Sequence, residues 1–68
     1  MSPARFRQCL DALGWSARYV AALTARDVRT VRRWIAGRVT VPWDVAHWLE
    51  SRVRHAEQTP PPRKDAAA

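Results

Sequence analysis

Cysteine is almost missing from this 68-residue chain, where Cys9 stands alone. One thiol excludes an internal disulfide and any zinc site built on cysteines. It reads instead as a small core residue. Glycine is scarce as well, and its two residues, Gly14 and Gly37, are isolated. That excludes a glycine-rich phosphate loop. No long apolar run occurs, and the opening "MSPARFRQCL" has the pattern of neither a signal peptide nor a membrane span. The expectation is a cytoplasmic protein with no membrane contact. Carboxylates number six, with no plausible catalytic pair among them, and no serine–histidine pair has a supporting third group. His47 and His55 lie eight residues apart without a convergent third ligand, which argues against a metal site. A chain this short also offers little pocket. Neither an enzyme nor a cofactor is expected, and no small-molecule ligand is evident.

Lysine is the last absence, and the most informative. Lys64 is the single lysine beside eleven arginines, in a chain of formal charge +6. A coding bias towards G and C would produce such a ratio without functional meaning. A polyanionic partner would also select it, because a guanidinium forks onto phosphates and guanine edges better than an ammonium does. Clustering separates the two readings. Residues 26–38 hold Arg26, Arg29, Arg32, Arg33 and Arg38 against one acid, Asp27, a net +4 in one short stretch. Bias alone would spread the arginines along the chain.

The periodicity predicts an all-α fold of four helices. The first covers 3–13, with Ser2 as N-cap, Pro3 at the first helical position and Phe6, Cys9, Leu10 and Leu13 on one face. Gly14 suits a left-handed end, after which Trp15 folds back towards Leu10. The second covers 17–23 behind Ser16, with Val20 and Leu23 inward and the small Ala21 where another helix can cross closely. The third covers 28–36 and ends at Gly37. Its apolar stripe is Val31, Trp34 and Ile35, with Val28 at the edge. At helical spacing Arg29 and Arg33 lie about 160° and 200° from Val31, away from the core. Arg32 and Ala36 flank them on one side, Thr30 on the other. Residues 38–42 connect to a fourth helix over 42–54, which buries Val45, Trp48, Leu49 and Val53. Trp43, His47 and Arg54 fall on its opposite side, where they form a candidate dimer contact. Residues 1–57 make one small domain, and 58–68, "QTPPPRKDAAA", read as a disordered proline-rich, charged tail. A core this small is marginal, so the four tryptophans and self-association are the expected aids.

Two short helices joined by a tight turn, the second apolar inside and basic outside, meet the physical requirements of a helix-turn-helix reader. "LGWSARYVAAL" followed by "DVRTVRRWIAG" also resembles the phage-repressor (Cro/cI-like, XRE-type) helix-turn-helix family. The match runs from Leu13 to Gly37 without insertion. Ala21 falls on the small crossing position and Val20, Val31 and Trp34 on the apolar ones. The turn departs from the family, which usually places glycine and then an apolar residue where this chain has Ala25 and Arg26. Two geometries stay open there. In one, Asp27 caps the third helix and Ala25 is left-handed, at a cost of about 1 kcal/mol. In the other, Thr24 caps it about three residues earlier in a "T-x-x-D" box, which adds Arg26 to the basic ridge.

The resemblance implies a compact lambda-repressor-like domain of bacterial or phage origin. It would regulate transcription, as a repressor of its own or a neighbouring operon. By resemblance, Val28, Arg29, Arg32 and Arg33 are the base-reading positions on double-stranded DNA. Physically, Arg29 and Arg33 are best aimed for guanine, and Val28 suits a thymine methyl. Phosphate contacts are expected at Ser16, Ala17 and Arg18, at the start of the second helix, and at Arg26, Thr30 and Arg38. A homodimer on a palindromic operator would put two reading helices about 34–36 Å apart. Two other readings stand beside this one: a protein-interaction module whose arginine face binds an acidic protein, and a binder of nucleic acid by charge alone.

Overall fold

The computed structural model describes residues 1–59, and within them the chain is all-helical. Its four helices are α1 (Pro3–Leu13), α2 (Ala17–Thr24), α3 (Val28–Ala36) and α4 (Trp43–Gln58). Among the described residues there is no strand. The tail expected over 58–68 lies outside the described residues from position 60 onward.

Each boundary has a local chemical cause. Ser2 Oγ accepts from the Arg5 amide at 3.0 Å, and Pro3 opens α1. Gly14 closes it at φ 69°, after which the Trp15 amide donates back to the Leu10 carbonyl at 3.0 Å. Ser16 Oγ accepts from the Tyr19 amide at 3.1 Å and starts α2. Asp27 caps α3 through the Arg29 amide at 2.8 Å. This settles the two geometries left open by the turn. Thr24 does not cap α3, because its hydroxyl donates to the Val20 carbonyl at 2.8 Å. Ala25 accordingly takes the left-handed conformation, at φ 55°.

The core is built from all four helices and the connector: Phe6, Cys9, Leu10, Val20, Ala21, Val31, Trp34, Val41, Val45, Leu49 and Val53 are buried. Trp34 is its largest member, and the Phe6 ring meets it edge-on at 5.9 Å. Burying each such side chain contributes about 1.5–3 kcal/mol. Burial pushes the Cys9 thiol above its ordinary pKa, which keeps it neutral and unreactive. α1 packs on both α3 and α4, while α2 packs on α3.

Two arginines of α1 join these layers. Arg5 forks onto Glu50 of α4, Nε to Oε1 at 2.8 Å and Nη2 to Oε2 at 2.7 Å. These hydrogen bonds hold the Glu50 carboxyl below its ordinary range. Arg7 Nη1 donates to the Ile35 carbonyl at 2.8 Å, satisfying one of the open carbonyls at the end of α3. Gly37, at φ 76°, is confined further, since a Cβ there would lie 2.9 Å from Pro3 Cγ.

The structure corrects several expectations. Leu23 does not face inward but is 48% exposed. The inward side of α2 centres between Val20 and Ala21, and Leu23 falls about 110° from that direction. Trp48 is half-buried rather than buried, with its ring 5.5 Å from Trp15 across the gap between α4 and the α1–α2 corner. The sequence reading gave the connector no core residue, yet Val41 within it is buried in the core. α4 begins one residue later than expected and continues to Gln58, past 54, because no proline or glycine interrupts it.

Candidate nucleic-acid interface

α3 is anchored by its inner stripe, with Val31 at 0% and Trp34 at 1% exposure. That anchoring fixes the rotation of the helix, so its outer side is fixed as well. Arg29, Arg32 and Arg33 are all exposed there. The left-handed turn at Gly37 swings the chain back, with the Arg38 amide donating to the Arg33 carbonyl at 2.9 Å. The result is an open concavity of about 330 Å³ lined by Arg29, Arg32, Arg33, Ala36 and Arg38. Four guanidiniums thus share one shallow surface.

Their charges are largely unanswered within the chain. Arg32, Arg33 and Arg38 have no ion-pair partner among the described residues, and Arg29 has only Asp27, with Oδ1 3.7 Å from its Nε. Such a surface disfavours itself by mutual repulsion and favours an incoming polyanion, whose binding relieves it.

The remaining expected site residues fall into separate groups, and none of them lines the concavity. Val28 is half-buried against the core and Thr30 is half-buried, so each presents only part of its side chain. Arg26 is engaged elsewhere. Its guanidinium lies 5.5 Å from the centre of the Trp34 ring, donates to the Thr24 carbonyl at 3.3 Å and approaches Asp44 at 3.8 Å. It clamps the turn onto α3 and α4. Ser16, Ala17 and Arg18 open α2; Arg18 is exposed, Ala17 is half-buried, and the Ser16 hydroxyl already caps the helix.

On α4, Trp43 is 78% exposed and stacks on His47 with the rings 5.2 Å apart and 10° from parallel. Arg54 is exposed on the same side, about 16 Å further along the helix axis. Two contributors escaped the sequence reading as site residues. Ala36 floors the concavity, and the helical wheel had already placed it beside the ridge. Arg7 steadies the end of α3 from another helix, and no local signal foretells that contact.

Among the described residues, no helix is long and apolar enough to cross a membrane. No cluster of three or more His, Cys, Asp or Glu side chains that could hold a metal ion occurs among them either. Compared with known proteins, the chain matches no family model, no curated protein and no solved structure.

Proposed function

We propose that the chain is a sequence-specific double-stranded DNA-binding protein of the helix-turn-helix type, a small cytoplasmic transcriptional regulator that represses its own or a neighbouring bacterial or phage operon. The observation that carries the reading is the arginine concavity on the outer side of α3, whose inner side is locked into the core. α2 packed against α3 across the turn at 25–27 supports it, as does the resemblance in sequence to the phage-repressor domains.

In this reading α3 enters the major groove, which admits one helix and displays a distinct donor and acceptor pattern for each base pair. Arg29 and Arg33 fork onto guanine O6 and N7. Arg32 works beside them at the bases, and Val28 offers its exposed edge to a thymine methyl. Arg38 and Thr30 hold phosphates, and Ser16, Ala17 and Arg18 do so from the start of α2, so that affinity and register come from the backbone. Arg26 reaches a phosphate only by leaving Trp34 and Asp44. Dimerisation through the α4 face of Trp43, His47 and Arg54 doubles the contacts on a palindromic operator.

Titration against duplexes of varied sequence tests the reading. At physiological salt, at least one duplex should bind about tenfold or more tighter than random DNA, the low end of the usual specificity gap. Salt-sensitive binding without preference would instead identify a binder by charge alone. Absence of salt-sensitive binding would point to an acidic protein as the partner of the arginine face.

A further inference from the structure

We propose that Asp27 is a positioning residue that aims Arg29 at a guanine and so sets base specificity at that position; this rests on the DNA-reading role of α3.

The placement of Asp27 poses a physical question. It is the one acid in residues 26–38, and it lies beside Arg29 of a face whose charges favour a polyanion. A carboxylate there repels phosphate. Capping alone does not require it, because serine and asparagine cap as well as aspartate. This chain uses serine at the N-caps of both α1 and α2. Stability from an exposed ion pair does not require it either, since such pairs contribute little. The Asp27 and Arg29 side chains are 58% and 80% exposed.

The geometry supplies a reason. Asp27 Oδ1 accepts from the Arg29 amide at 2.8 Å, which fixes the carboxylate over the first turn of α3. The same oxygen lies 3.7 Å from Arg29 Nε. The guanidinium is therefore drawn by its inner nitrogen. Its Nη1–Nη2 edge has no hydrogen-bond or ion-pair partner among the described residues. That edge is the pair of donors that matches guanine O6 and N7. Arg33, about one turn further along the ridge, has no ion-pair carboxylate among the described residues. The carboxylate thus costs general attraction to phosphate and gains direction for one arginine.

Asp27→Asn separates this role from plain capping, because asparagine retains the cap while removing the charge. Asp27→Ser is the second variant, and melting curves confirm that both fold. Each is titrated against the preferred duplex, its single-base variants and random duplex DNA, with Arg29→Ala marking the base pair that Arg29 reads. Both variants are expected to bind random DNA more tightly at low salt, yet to lose about tenfold of the discrimination at that base pair. Discrimination elsewhere should be unchanged. If discrimination at that position stays at the wild-type level while affinity rises equally for every duplex, Asp27 is only a cap and a countercharge, and the proposal fails. A wild-type chain without any preferred duplex would overturn the DNA-reading role itself, a result distinct from the first.

Discussion

At the scale of single residues, the arginines of the 26–38 segment divide by what holds them. Arg29 is drawn by Asp27, Arg26 is folded over Trp34, and Arg32, Arg33 and Arg38 are unpaired among the described residues. The helical wheel separated Arg29 and Arg33 from Val31 and Trp34 correctly, because burial of a large aromatic leaves the helix one rotation. It could not place Arg26, whose position depends on the turn and on Asp44 of a distant helix. The division leads to contrasting substitutions. Arg33→Ala should relax base preference at one position, losing about 1–3 kcal/mol of discrimination there. Arg38→Ala should weaken all sequences alike and reduce the slope of affinity against salt by about one unit. Binding of single-base duplex variants over a salt series measures both, and a reversed pattern would exchange the two roles.

At the scale of elements, the caps were the most legible feature. Ser2, Ser16, Gly14 and Gly37 each announce a boundary by chemistry acting within a few residues, and each stands where that chemistry places it. The α2–α3 turn was ambiguous because Thr24 and Asp27 are both good caps; the Asp27 bond to the Arg29 amide and the Thr24 bond to the Val20 carbonyl decide between them. Its cost remains in Ala25, left-handed at φ 55°. Ala25→Gly should raise stability by about 1 kcal/mol. In a domain of this size that is a rise of about 4–8 °C in melting temperature. An unchanged or lowered melting temperature would show that the turn carries no such strain. The Arg5–Glu50 fork joins positions 45 residues apart, beyond any local pattern. Hydrogen bonding from Arg5 lowers the folded-state pKa of Glu50 below its ordinary value of 4.5, so the pair's stabilising share is present above that pH. It is lost as pH falls through the lower folded-state value. Melting temperature should therefore fall more steeply in acid for the wild type than for Glu50→Gln. Parallel curves would show that the pair does not stabilise the fold.

At the scale of the whole molecule, the all-helical fold was legible because periodicity and caps agree along most of the chain. Leu23 and Trp48 were misplaced, and Val41 was not singled out for burial, because which side of each helix and of the connector turns inward is set by how the elements pack together. The same limit applies to association. Trp43 stands 78% exposed on its stack with His47, a large apolar surface for a small chain. In the proposed dimer, Trp43→Ala should shift mass from dimer to monomer in analytical ultracentrifugation. An unchanged distribution would remove Trp43 from the interface.

In the proposed function, the arginine concavity of α3 reads DNA sequence. Selection of bound sites from a random duplex library tests it most directly. A palindromic site containing guanines in each half, with half-sites about one helical turn apart, should be enriched. Recovery of sequences no different from the starting library would contradict it.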